Sequence, residues 1–93
     1  MTVAPMTVAE EITAKLEAAF RPERLEVVDE SHKHEGHAGW REGGETHFHV
    51  TLVSRAFAGQ SRLDRQRAVY AALAEELAGP VHALQVTARA PGE

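Results

Sequence analysis

One short segment of the chain alternates strictly between apolar and polar residues, and this alternation limits the folds that the chain can adopt. The apolar positions are Phe48, Val50 and Leu52, and the polar positions among them are His47, His49 and Thr51. Successive side chains of a strand point to opposite faces, so the pattern predicts a strand with one buried and one polar face. Such a strand belongs in a sheet that helices cover on one side only.

Periodicity elsewhere predicts the elements that surround this strand. In chain order they are a helix over about residues 7–20, a strand at 25–28, the strand at 46–53, a helical turn at 56–59, a long helix over 61–79 and a strand at 84–89. Thr7 with Glu10, and Ser61 with Asp64, have the spacing of a capping box at a helix start. The buried stripe of the long helix is predicted to consist of Leu63, Tyr70, Leu73 and Leu77.

The element order α-β-β-α-α-β predicts an α+β fold. Its three-stranded mixed sheet is covered on one face by helices, and its second and third strands run parallel. A length of 93 residues is enough for one domain. We place this domain at residues 7–90, between a flexible N-terminus at 1–6 and a short tail at 91–93.

The residue inventory excludes several kinds of chemistry. The chain has no cysteine, so any soft-metal role must use histidine, and a formal net charge of -4 disfavours generic nucleic-acid binding. No phosphate-binding glycine loop and no Ser/His/Asp arrangement points to an enzyme. We also expect no membrane association and a cytoplasmic location, because no apolar run approaches the roughly 18 residues that span a bilayer.

Several ordered segments resemble the BolA family. They are Leu25-Glu26-Val27-Val28-Asp29-Glu30-Ser31, Glu45-Thr46-His47-Phe48, Val53-Ser54 with Phe57-Ala58-Gly59, Arg65-Gln66-Arg67-Ala68-Val69-Tyr70, Leu73-Ala74-Glu75-Glu76-Leu77 and Val81-His82-Ala83-Leu84. The resemblance implies a BolA-like fold, which is similar to the class II KH domain. This is the topology that the periodicity predicts.

The six histidines are the most informative chemical feature. On the residues alone, His32, His34 and His37 of the glycine-rich loop fit a plain solvated loop about as well as a metal site. The resemblance implies a heterodimer with a monothiol glutaredoxin, in which a 2Fe-2S cluster is shared with the glutaredoxin and glutathione. It assigns His82 and His34 as ligands, with His37 as the alternative loop ligand. His47 is interpreted as a structural residue of the sheet surface.

A basic cluster at the start of the long helix gives a second hypothesis. Arg62, Arg65 and Arg67 form a local positive patch, and some BolA proteins are described as transcriptional regulators, so DNA is the alternative partner. Only Gly59 remains of the GXXG loop with which KH domains clamp nucleic acid, since Arg62 stands at its last position. The free protein is expected to be a monomer, with a weak homodimer as the alternative.

Overall fold

The computed structural model describes residues 6–31 and 46–93. Its elements are α1 (Val8–Phe20), β1 (Arg24–Asp29), β2 (His47–Val53), a 3₁₀ turn (Arg55–Phe57), α2 (Arg62–Ala72), α3 (Ala74–Ala78) and β3 (Ala83–Arg89). The predicted α+β architecture is confirmed. No helix within the described ranges is long and apolar enough to cross a membrane.

The sheet has the order β1-β2-β3, with β2 in the centre. β1 pairs antiparallel with β2, and Asp29 at the end of β1 lies opposite Phe48. β2 pairs parallel with β3, and His47 at its start lies opposite Ala83. The end of β1 and the starts of β2 and β3 therefore meet at one end of the sheet.

The core lies between one face of this sheet and the helices. Phe48, Val50 and Leu52 are at most 2% exposed, while the intervening residues of β2 are half-buried, which confirms the predicted alternation. The helices contribute Ile12 and Leu16 from α1 and Val69 from α2, and Leu73, the residue that follows α2, joins them. The opposite face of the sheet carries polar side chains such as His49, whose Nε2 lies 3.0 Å from Thr87 Oγ1.

Both predicted capping boxes begin helices in the structure. The Thr7 hydroxyl accepts a hydrogen bond from the Glu10 N–H, and the Ser61 hydroxyl accepts one from the Asp64 N–H, each at 3.1 Å. These bonds satisfy backbone donors that have no partner within the first turn of a helix. The predicted helix starts are therefore confirmed.

The predicted long helix is interrupted, which is the main difference between the expected and the observed fold. α2 ends at Ala72 and α3 begins at Ala74, with Leu73 between them in a non-helical conformation. Leu73 is buried in the core, but Leu63 is 54% exposed, so the expectation that Leu63 belongs to the buried stripe was wrong. Val69 takes that role, because α2 turns the face of Val69 and Leu73 toward the sheet.

An ion pair attaches α3 to α1. Glu76 is only 5% exposed, and its two carboxylate oxygens lie 3.0 and 2.8 Å from Lys15 Nζ. Hydrogen bonding to Glu76 raises the pKa of Lys15 above its ordinary value. A buried carboxylate requires such a partner, because an unpaired charge in the interior is costly.

Leu63 within α2 is exposed, whereas Leu73 at its C-cap is buried. Truncating the two side chains should therefore have different effects on stability. Leu73→Ala should lower the free energy of unfolding by about 2–5 kcal/mol, because it leaves a cavity in the core. Leu63→Ala should change it by less than about 1 kcal/mol, because that side chain is already largely in water. Urea denaturation of both variants measures the difference. Equal losses would contradict the observed orientation of α2.

Candidate functional site

The corner where β1 ends and β2 and β3 begin brings together residues that are distant in sequence. The backbone N–H of His82 donates to the carbonyl of Thr46 at 2.7 Å, and the N–H of Ala83 donates to the same oxygen at 3.3 Å. His82 directly precedes β3 and is exposed. Its position is therefore set by backbone bonds, which leave the imidazole at the surface.

The buried Ser31 hydroxyl joins the two chain segments at this corner. Its oxygen accepts hydrogen bonds from the N–H groups of Thr46, at 2.8 Å, and His47, at 3.1 Å. The same hydroxyl donates to Asp29 Oδ1, which also accepts from the Ser31 N–H at 2.9 Å. Ser31 and Thr46 are 1% and 0% exposed, so these bonds replace water in a closed environment.

His47 lies beside His82, which the sequence analysis did not foresee. The two imidazole rings are nearly parallel, with centroids 6.2 Å apart and an interplanar angle of 15°. Nδ1 of His47 lies 2.9 Å from the Thr46 hydroxyl. The parallel register explains the proximity, because His47 faces Ala83, the residue after His82.

The side chains of Thr46 and His47 extend the hydrogen-bond network around Ser31. The Thr46 hydroxyl lies 2.9 Å from His47 Nδ1 and 3.3 Å from the Ser31 oxygen, which already accepts from two backbone N–H groups. Nδ1 of His47 therefore has a hydrogen-bonding partner within the protein. His82 is exposed, whereas His47 is half-buried.

The predicted metal site is only partly within the described residues. The structure places His82, whereas His34, His37 and His32 lie outside the ranges 6–31 and 46–93. Within those ranges no group of three or more His, Asp or Glu side chains could hold a metal ion. Because the chain has no cysteine, its imidazoles are the side chains suited to a soft metal. His82 offers an exposed imidazole at a position that backbone hydrogen bonds fix.

The structure separates the three arginines of the basic patch. Arg62 and Arg67 are exposed on α2, whereas Arg65 is 12% exposed and forms two hydrogen bonds to the Glu93 carboxylate. Hydrogen bonding by Arg65, with a further bond from the Ala90 N–H, lowers the pKa of Glu93 to about 2. The same pairing raises the pKa of Arg65. No local sequence pattern signals this contact, because the partners are far apart along the chain.

Other segments that carry the BolA resemblance are structural in this molecule. The Ser54 hydroxyl donates to the carbonyl of Phe20 at 2.6 Å, at the end of α1, and accepts from the N–H of Ala56. Phe57 is fully buried, with its ring centroid 5.0 Å from that of Phe20. Gly59 has a φ of +77°, a conformation that other residues rarely adopt.

Comparison with known proteins establishes the family. The family model of BolA-like proteins matches residues 16–93. The chain therefore belongs to the BolA-like family. The resemblance that the sequence segments indicated is thereby confirmed.

Individual relatives agree with this assignment. The chain is 52% identical over 79 residues to the DNA-binding transcriptional regulator BolA of Escherichia coli strain K12, covering 85% of this chain and 71% of that protein. It is 55% identical over 82 residues to human BolA-like protein 1, covering 88% of this chain and 57% of the human protein. The structure of the BolA domain of SufE1 from Arabidopsis thaliana superimposes with a TM-score of 0.83 at 41% identity, covering 95% of this chain and 96% of that one.

The geometry around Ser31 predicts a measurable loss of stability on its removal. Ser31→Ala should lower the free energy of unfolding by about 1–3 kcal/mol, because it deprives the N–H groups of Thr46 and His47 of their acceptor. Asp29→Asn should cost less, since the amide oxygen still accepts from Ser31. Urea denaturation measures both. If Ser31→Ala were no more destabilising than Ser61→Ala, which removes an exposed helix cap, the corner would not depend on this hydroxyl.

Proposed function

We propose that this protein is a non-enzymatic partner of a monothiol glutaredoxin, and that it contributes histidine ligands to a shared 2Fe-2S cluster. The proposed ligands are His82 and one loop histidine, His34, with His37 as the alternative. Glutathione and the glutaredoxin cysteine supply the remaining ligands in this arrangement. Replacing thiolate ligands by imidazole raises the reduction potential of such a cluster.

The observation that carries the proposal is the position of His82 relative to Ser31 and Thr46, the described residues on either side of the histidine-bearing segment. Ser31 precedes the loop segment and Thr46 follows it, and the Ser31 hydroxyl oxygen lies 2.8 Å from the Thr46 nitrogen. The carbonyl of Thr46 in turn accepts the hydrogen bond of the His82 N–H. Both ends of the histidine-bearing segment are thus attached to the same corner as His82.

Chain length permits the second ligand to reach this corner. His34 stands three residues after Ser31, and three residues extend over at most about 11 Å. His37 stands six residues after Ser31, so the covalent limit allows it as well. The choice of His34 rests on the family resemblance, and an experiment has to separate the two.

Substitution of His82 tests the proposal. His82→Ala should abolish the visible absorption and circular dichroism that the heterodimer shows when mixed with a cluster-loaded monothiol glutaredoxin, because one iron loses its fixed ligand. The far-UV spectrum should not change, since the backbone bonds of His82 remain. His34→Ala should weaken the cluster signal strongly, and His37→Ala should leave it nearly unchanged.

His49→Ala is the matched control, because it removes an imidazole from the polar face of the same sheet, where His49 contacts Thr87. This variant should keep the wild-type cluster spectrum. A wild-type spectrum and cluster stability in His82→Ala would overturn the ligand assignment. The protein would then dock on the glutaredoxin without ligating the metal.

DNA binding is the second candidate function, and one observation favours it. The E. coli relative, which is 52% identical, is named as a DNA-binding transcriptional regulator. Arg62 and Arg67 are exposed on α2 and are suited to phosphate contacts, whereas Arg65 is already paired with Glu93. A protein that contacts only phosphates binds DNA without strong sequence preference.

The exposed arginines predict a salt-sensitive interaction. Arg67→Gln should weaken DNA binding for every sequence and reduce the slope of log affinity against log salt by about 1. Fluorescence anisotropy over a salt series, with labelled duplexes of unrelated sequence, measures both quantities. A nanomolar, sequence-selective complex at physiological salt would contradict the phosphate-only interpretation.

A further inference from the structure

A cavity of about 270 Å³ lies between α2 and β3. Its walls consist of Arg62, Arg65 and Gln66 from α2, and Val86, Thr87, Ala88 and Arg89 from β3. Three of these side chains are guanidinium groups and none is acidic, in a chain whose formal net charge is -4. Positively charged side chains are therefore concentrated in one concave site, although the chain as a whole has a negative net charge.

Arg65 is held in place at the wall of this cavity. Its Nε donates to the carbonyl of Gln60 at 3.1 Å, and its Nη1 donates to the carbonyl of Ala88 at 3.2 Å. These bonds orient the guanidinium before any ligand arrives. A preorganised guanidinium loses little freedom when it binds an oxyanion.

The guanidinium of Arg65 already binds one oxyanion, the carboxylate of Glu93. Both of its carboxylate oxygens bind Arg65, one of them at 2.8 Å from Nη2, and Oε1 also accepts from the Ala90 N–H at 3.1 Å. These hydrogen bonds lower the pKa of Glu93 to about 2, and the positive charge of Arg89 contributes to the same shift. Arg62 and Arg89 form no salt bridge within the described part of the chain.

We propose that this cavity binds a phosphate-type dianion, such as inorganic phosphate or a phosphate monoester, through Arg62 and Arg89, with Arg65 supplying its remaining N–H group. Three guanidinium groups and the Glu93 carboxylate leave an excess of two positive charges. A phosphate monoester carries about -1.5 to -2 charges at pH 7, which matches this excess better than the single charge of a phosphodiester. Guanidinium groups also fit phosphate oxygens in a bidentate geometry.

This site shares Arg62 with the candidate DNA surface and differs from it at Arg67 and Arg89. Arg67 lies on α2 but does not line the cavity, so a DNA surface along the helix would use it whereas the dianion site would not. His82 lies before the start of β3, whereas Arg89 is the last residue of that strand. Glu93 should compete with the anion, because its carboxylate and the carbonyls of Gln60 and Ala88 take four of the five N–H groups of Arg65.

Titration with inorganic phosphate at constant ionic strength, followed by amide chemical shifts, tests the proposal. Saturable shifts are expected at the cavity residues of α2 and β3. Arg62→Gln and Arg89→Gln should each weaken binding by about fivefold or more, because each removes a charge-assisted hydrogen bond. Glu93→Gln should strengthen it, because it removes the competing carboxylate. Arg65 is left intact in these variants, since it also supports the fold.

Arg67→Gln is the matched control, because it removes the same charge from the same helix outside the cavity, and it should change phosphate affinity by less than about twofold. If it weakened binding as much as Arg89→Gln, the effect would be the diffuse charge of the helix and the site would not exist. Equal binding of dimethyl phosphate would overturn the preference for a dianion. Absence of saturable shifts, or an unchanged affinity in Glu93→Gln, would also overturn the proposal.

Discussion

The parallel pairing of β2 with β3 decides where the chemically useful side chains of this molecule lie. In a parallel pair both strands begin at the same edge of the sheet, so His47 and the residue before Ala83 become neighbours. The antiparallel partner β1 ends at that edge as well. The candidate metal corner is therefore a product of the backbone hydrogen-bond pattern, and His82 adds an imidazole to a position that the sheet already defines.

Several residues that identify the family maintain this framework. Ser31 and Ser54 are each 1% exposed, and their hydroxyls bind backbone groups at the points where β1 ends and where β2 ends. Each hydroxyl serves as acceptor and donor at once, which an apolar residue of similar size could not do. These two serines of the family signature therefore fix the backbone at the ends of β1 and β2.

The two surfaces discussed above lie at opposite ends of β3. His82 is the residue before β3, and Arg89 is the last residue of β3. Among the described residues, Arg65 and Glu93 lie at the end with Arg89, and Thr46 and His47 lie at the end with His82. Substitutions at such separated positions usually act independently, so the two ends can be studied one at a time.

Local patterns in the sequence determined the elements, because strand alternation and helix capping depend on residues a few positions apart. The buried face of β2 and the starts of α1 and α2 were predictable for this reason. Only the tertiary structure decided that the long helix breaks at Leu73, that Leu63 faces solvent, that His47 stacks on His82 and that Arg65 pairs with Glu93. The stacking and the ion pair join residues that are distant along the chain, and the orientation of α2 follows from how it packs on the sheet, so no local spacing reveals them.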